Sequence, residues 1–200
     1  MLRLALLLFL WVPAWNLAAQ DDPCTAAPST KAQKWIDKGT DKRKYDAEKR
    51  RGFLESALEE DETALEAMLA LGLLTHRQAQ QSRGKGGWSN PRSLLEVVNE
   101  ACHVYAAEVP YTLGAIAYAE GEYDAALTWF DRFLRWKHFT GRPHTPREAK
   151  RVPQVEGILP ELRFLQQLNA HPDAPAPHIL SEVATRDGEY LPTLSADGTL

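Results

Sequence analysis

The side chains that most often bind metals, the histidines, are scattered along this 200-residue sequence. The six are His76, His103, His138, His144, His171 and His178. No two of them have the four-residue separation that places two side chains on one face of a helix, whereas a zinc site needs three or four converging ligands. His138 and His144 flank one loop, but no third ligand accompanies them. The sequence therefore predicts neither a metal nor another cofactor.

The two cysteines, Cys24 and Cys102, allow two interpretations. In an oxidising compartment they could form a disulfide, which across so long a loop would contribute about 4 kcal/mol. Cys24, however, lies in a polar stretch that we expect to be mobile, and Cys102 lies on the inward face of a predicted helix. We therefore expect Cys102 to be a small buried apolar residue. A nucleophilic cysteine needs a base and an orienting group, and the adjacent His103 points elsewhere on the helix.

Other patterns that could support chemistry have simpler explanations. Basic residues at 42–44 and 49–51 are followed by acidic residues at 59–62, which favours a solvated helix face over an anion site. Trp129, Phe133 and Trp136 recur at helical spacing and are expected in the core. No glycine-rich phosphate loop, serine triad or paired-carboxylate motif is present, so we expect no enzymatic activity. The formal net charge of −4 argues against a nucleic acid partner.

Helices must position whatever site the chain has, and the clearest pair lies between Pro110 and Leu134. Apolar residues recur at helical spacing on both sides of Gly121, which is expected to end the first helix with a positive φ. Gly114 falls where the two helices need to approach closely. Each helix has one apolar face, so the pair must form one unit of a stack.

The spacing of this unit resembles the tetratricopeptide repeat. Phe133 stands where the family has a small residue, and the closing proline is missing near His138. A second leucine–glycine pair, Leu71-Gly72, marks a preceding unit. The residues that carry the resemblance are Leu113, Gly114, Gly121, Tyr123, Ala126 and Phe130.

We therefore predict an all-α fold, a tetratricopeptide-like α-solenoid of antiparallel helical hairpins, with a C-terminal fragment of a β-propeller blade. Residues 135–147 are predicted as a loop, and Pro153 and Pro160 are expected to break or kink the last helix. The predicted division is 1–19 signal peptide, 20–30 flexible lead-in, 31–168 helical domain, 169–188 proline-containing linker and 189–200 start of a truncated WD40-like propeller.

The order of these segments resembles the periplasmic repeat–propeller–OmpA-like proteins of Gram-negative bacteria, some of which serve type IX secretion. The ending carries a proline, a serine and an Asp197-Gly198 turn, as in TolB-like or WD40-like blades. The resemblance implies an exported protein in the periplasm, associated with the outer membrane. Peptidoglycan would be bound only through a downstream domain absent from this sequence. The apolar run at 4–12 is shorter than the ~20 residues that span a membrane, so no transmembrane segment is expected after signal cleavage.

The resemblance also implies a binding surface on the concave side, lined by the first helix of each unit. Tyr111 and Tyr118 are its expected anchors, because aromatic residues dominate interface energetics. Leu69 and Leu73 fit the core equally well. The ten implied positions are Glu66, Leu69, Leu73, His76, Arg77, Glu108, Tyr111, Ala115, Tyr118 and Ala119.

These expectations predict a non-enzymatic, exported scaffold in a cell-envelope or secretion-associated assembly. Its concave surface would bind a protein partner, either a peptide or a folded envelope protein. An alternative stays open: the chain is an accessory domain of a periplasmic enzyme whose catalytic part lies elsewhere.

Overall fold

The computed structural model describes residues 24–82 and 87–170, and within these ranges the chain is helical and has no strands. The predicted signal peptide, most of the linker and the predicted propeller segment lie outside the described residues. The helices of the described residues are α1 (Thr30–Thr40), α2 (Ala47–Glu60), α3 (Leu65–Gln81), α4 (Ser89–Ala101), α5 (Glu108–Ala119), α6 (Tyr123–Leu134), α7 (Trp136–Thr140), α8 (Pro146–Ala149) and α9 (Val152–Ala170).

The helices form three successive hairpins, α1–α2, α3–α4 and α5–α6, which contain the most extensive helix contacts. Each hairpin then packs on the next: α2 contacts α3, α4 contacts α5, and α6 contacts α9. The all-α prediction is confirmed for the described residues, and the stacked hairpins are compatible with an α-solenoid.

In each hairpin a glycine of the first helix meets a large apolar side chain of the second. A Cβ atom added at Gly114 would lie 2.7 Å from the Phe130 ring, which confirms the predicted close approach. The same construction places a Cβ at Gly72 3.0 Å from Leu95, and one at Gly39 2.5 Å from Leu54. The first hairpin therefore repeats a device that the sequence signature marks only in the other two.

Local signals account for the helix ends. The side chains of Ser29 and Asp46 accept hydrogen bonds from the first turns of α1 and α2. Gly121 has a φ of 78°, as predicted, and the N–H of Glu122 donates to the carbonyl of Ala117 at 2.8 Å. The positive φ and this hydrogen bond end α5 and direct the chain into α6.

The segment after α6 differs from the prediction. The predicted loop contains α7, which is held because Trp136 is 4% exposed and belongs to the core of the third hairpin. Pro153 is the second residue of α9, where no helical hydrogen bond needs its missing N–H. Pro160 lies inside the continuous helix α9 without ending it. Both Pro160 and Glu156 are exposed, so water can satisfy the carbonyl that the proline leaves without a partner.

A disulfide joins Cys24 to Cys102, with the two Cα atoms 5.1 Å apart. The expectation of a buried Cys102 thiol is therefore wrong, although Cys102 is indeed 2% exposed. The described part of the lead-in is also anchored by Ser29, whose N–H donates to Asp61 Oδ2 at 2.9 Å. Helical periodicity showed that Cys102 faces inward, but it holds no information on which distant segment lies against it.

Candidate functional site

The ten positions implied by the repeat pattern lie on α3 and α5, two helices that contact each other; we call this surface the inner face. Glu66 and Ala119 are exposed at its margins. Leu69 packs against the core cluster formed by α4 and α5, so the core interpretation holds for this residue. Leu73 is half-buried, and Ala115 packs against the core of the third hairpin.

The chain's own C-terminal helices cover the two tyrosines predicted as anchors. The Arg151 guanidinium lies 4.3 Å from the centroid of the Tyr111 ring. The Tyr111 ring also packs against Phe133, with ring centroids 5.3 Å apart. The Tyr118 hydroxyl donates to Glu161 Oε1 at 2.8 Å. Both rings therefore hold the 146–170 segment against α5, and neither is free in the way that the pattern predicted.

His76, another of the ten positions, is a buried neutral imidazole. It is 6% exposed and its ring lies 5.6 Å from that of Trp88. Burial lowers the pKa of His76 to about 4, and the charges of Arg151 and Arg77 act in the same direction. At neutral pH this side chain adds no charge to the inner face.

Five cations gather beside the inner face, and we call them the cationic cluster. Repulsion by Arg77 is the main cause that lowers the pKa of Lys42, and Arg147 and Arg50 add to it. Burial is the main cause that lowers the pKa of Arg77, with further repulsion from three other arginines of the cluster. The charged form of each group is therefore less stable here than in water. The cluster consists of Lys42, Arg50, Arg77, Arg147 and Arg151.

A pair of carboxyl groups borders the cluster. Burial and a hydrogen bond to Glu148 raise the pKa of Glu108, while the charge of Arg151 opposes the rise. Although burial opposes it, hydrogen bonds from Glu108 and Thr145 lower the pKa of Glu148. The hydrogen bond between the two groups therefore favours keeping a shared proton on Glu108 rather than on Glu148. As the pH falls, the pair takes up its first proton more readily than Glu108 would as a free carboxyl group.

No family model, curated protein or solved structure matches this chain. Membership of the tetratricopeptide family and the resemblance to periplasmic repeat–propeller proteins therefore stay predictions.

Four members of the cationic cluster were not among the predicted site residues. Arg50 belongs to the basic run that was expected to be solvated, yet it is 8% exposed and its Nε donates to the carbonyl of Gly39 at 2.8 Å. Lys42 precedes α2, whereas Arg147 and Arg151 come from the segment around α8. A local pattern cannot reveal a cluster that is assembled from such distant segments.

The described residues contain no group of three or more histidine, cysteine or acidic side chains that could hold a metal ion. His144 lies against Phe133, with ring centroids 4.6 Å apart. In the same part of the chain, no helix combines the length and apolarity that crossing a membrane requires. The aromatic stripe lies in the core as predicted: Phe133 and Trp136 are buried, and Trp129 packs against them.

Proposed function

We propose that this protein is a non-enzymatic, exported interaction scaffold that binds another protein across its inner face. The observation that carries the proposal is the cationic cluster, where the first two hairpins and the 146–170 segment bring five cations together, three of them wholly or partly buried. Burying a charge without a partner is unfavourable. Partly buried cations that have no carboxylate partner within the described part of the chain therefore favour a site where a ligand neutralises them. An extended face built from several hairpins suits a protein partner better than a small molecule.

The Cys24–Cys102 disulfide supports placing the protein outside the cytosol. Disulfides persist in oxidising compartments such as the bacterial periplasm and are rare where thiols are kept reduced. This agrees with the signal peptide expected at residues 1–19 and with a place in a cell-envelope or secretion-associated assembly.

The finer family assignment is part of the same proposal. The glycine contacts at Gly72 and Gly114 support tetratricopeptide-like hairpins, because the repeat pattern places its small residue at this closest approach. We assign residues 189–200 to the start of a WD40-like propeller on the sequence resemblance alone. Peptidoglycan binding would require a further domain, as in the OmpA-like proteins.

Photo-cross-linking in cells that export the full chain tests this function. A benzophenone amino acid at Leu73 or Ala119 on the inner face should cross-link one discrete protein partner. The same amino acid at Thr128, an exposed position of α6, serves as the matched control and should give no such product. Equal cross-linking from both surfaces, or from neither, would contradict the assignment of the inner face.

A further inference from the structure

Helix α9 occupies the position that the first helix of a fourth hairpin would have in the stack. The first helices of the second and third hairpins, α3 and α5, each pack on the second helix of the preceding hairpin, and α9 packs on α6 in the same way. The Tyr118 hydroxyl of α5 donates to Glu161 of α9, so α9 also reaches the first helix of the third hairpin, as α5 reaches α3. The stacking pattern therefore predicts a further helix on the other side of α9.

The side of α9 that faces away from the stack is apolar near the end of the helix. Phe164 is 62% exposed and Leu168 is 49% exposed, and their four-residue separation places them on one face. Val155 and Leu162, the buried residues of α9, lie on the opposite side of the helix. A helix that ends a stack needs a polar outer face, which this one does not have. None of the helices in the described part of the chain covers these two side chains.

The sequence after α9 contains a stretch that suits this face. Pro177 precedes and Gly188 follows the ten residues at 178–187, HILSEVATRD, and this order of proline and glycine is typical of the beginning and end of a helix. Within the stretch, apolar residues recur at the spacing that places them on one face of a helix. These residues are Ile179, Leu180, Val183 and Ala184.

The connection between α9 and this stretch is long enough for the chain to turn back. Helix α9 ends at Ala170, two residues after Leu168. The residues at 171–177 can extend over at most about 25 Å, whereas Phe164 and Leu168 are separated by only about 6 Å along the helix axis. Because the stretch is tethered, its effective concentration at α9 is on the order of millimolar. It therefore has an advantage over a second copy of the chain or another protein in covering this face.

We infer that residues 178–187 form an amphipathic helix that packs on the exposed side of α9 and completes a fourth hairpin. The apolar face of this helix would cover Phe164 and Leu168. The expected linker at 169–188 would then shorten to 171–177, and the segment at 189–200 would begin directly at the end of the stack. This inference goes beyond the proposed function and does not depend on it.

Hydrogen exchange of the intact chain, measured by mass spectrometry, tests the inference. The informative amides are those of residues 182–187, because the first four N–H groups of a helix have no partner within it. We expect these amides to exchange about tenfold or more slowly than those of a free peptide with the same sequence, because packing on α9 stabilises the helix.

A double variant of α9 and one matched control test the contact. Phe164→Gln/Leu168→Gln should bring exchange at 182–187 to within about twofold of the free-peptide rate, because it removes the apolar surface. Both side chains are exposed in the described fold, so exchange within α5 and α6 should not change. Phe139→Gln removes a ring that is 48% exposed on α7 and should leave exchange at 182–187 as in the wild type.

The contact should respond in the same way from its other side. Leu180→Gln changes the apolar face of the stretch and should raise exchange at 183–187 as the α9 variant does. Glu182→Gln changes the polar face and should have little effect. An equal response to these two substitutions would contradict packing through the apolar face.

Several outcomes would overturn the inference. Exchange at 182–187 at the free-peptide rate in the wild type would do so, and so would protection that persists in Phe164→Gln/Leu168→Gln. Sedimentation velocity should show a monomer; a dimer that dissociates in the double variant would assign the face to a second copy of the chain. If 182–187 is unprotected and a benzophenone amino acid at Phe164 cross-links another protein in cells, that protein covers the face instead. None of these results decides whether the inner face binds a partner, which the cross-linking from Leu73 or Ala119 tests separately.

Discussion

The interior of the third hairpin and the inner face beside it share helix α5 but differ in their contacts: the first is closely packed and apolar, and the second contains charged side chains. Between α5 and α6, Gly114 meets Phe130 in close contact, and Phe133 is completely buried. Arg77 on the inner face and Arg151 beside it are half-buried cations without carboxylate partners among the described residues. The hairpin interiors supply stability, and the contrast supports our proposal that the inner face gives up some stability for binding.

The largest effect should come from the disulfide, which ties the lead-in to the end of α4. Cys24→Ala/Cys102→Ala should lower the free energy of unfolding by about 4 kcal/mol, because the bridge closes a long loop in the unfolded chain. Urea unfolding with and without reductant measures this. Reductant should destabilise the wild type to a similar extent and leave the variant unchanged. A wild type insensitive to reductant would show that the bridge does not contribute.

Substitution of a glycine tests the hairpin interior. Gly114→Ala places a methyl group 2.7 Å from the Phe130 ring and should cost about 1–3 kcal/mol of stability through overpacking. Gly157→Ala is the matched control, since a Cβ there meets nothing within 4 Å inside α9. The control should stabilise by about 0.5–1 kcal/mol, as expected for glycine in a helix. Similar melting temperatures for the two variants would refute the close contact.

These glycines also show what sequence reasoning could reach. The close approach predicted at Gly114 is confirmed, and Gly72, which was predicted only to mark a second unit, makes the same kind of contact with Leu95. Gly39 was missed because the first hairpin carries no leucine before its glycine. Helix α7 was missed because five residues are too few to show a helical period.

Long-range features were beyond the same reasoning. The Cys24–Cys102 bridge depends on which segments meet in space, and the cationic cluster draws on four separate parts of the chain. Of the cluster members, the repeat pattern named only Arg77 among its ten positions. It could not show that Arg151 would cover Tyr111, because the 146–170 segment lies outside the repeat signature.

The pH dependence of stability probes the inner face through His76. Its pKa is lowered to about 4, so the unfolded chain binds a proton at higher pH than the folded chain does. The contribution of neutral His76 is therefore fully present above its ordinary pKa of about 6.5 and is lost as the pH falls toward 4. His76→Leu should remove this slope, a difference of up to about 1.4 kcal/mol per pH unit within that window. Unfolding curves that stay parallel from pH 7 to pH 4 would contradict the burial of a neutral imidazole.

Urea unfolding of one triple variant at low salt tests the central claim, that the cationic cluster is kept for binding at the expense of the fold. Lys42→Gln/Arg77→Gln/Arg147→Gln removes repulsion that lowers the pKa of Lys42 and Arg77, and it buries no new group. We predict a free energy of unfolding about 0.5–2 kcal/mol above that of the wild type, the gain typical of relieving an unfavourable functional site. A triple variant less stable than the wild type would mean that these cations hold the hairpins together, and would contradict the account.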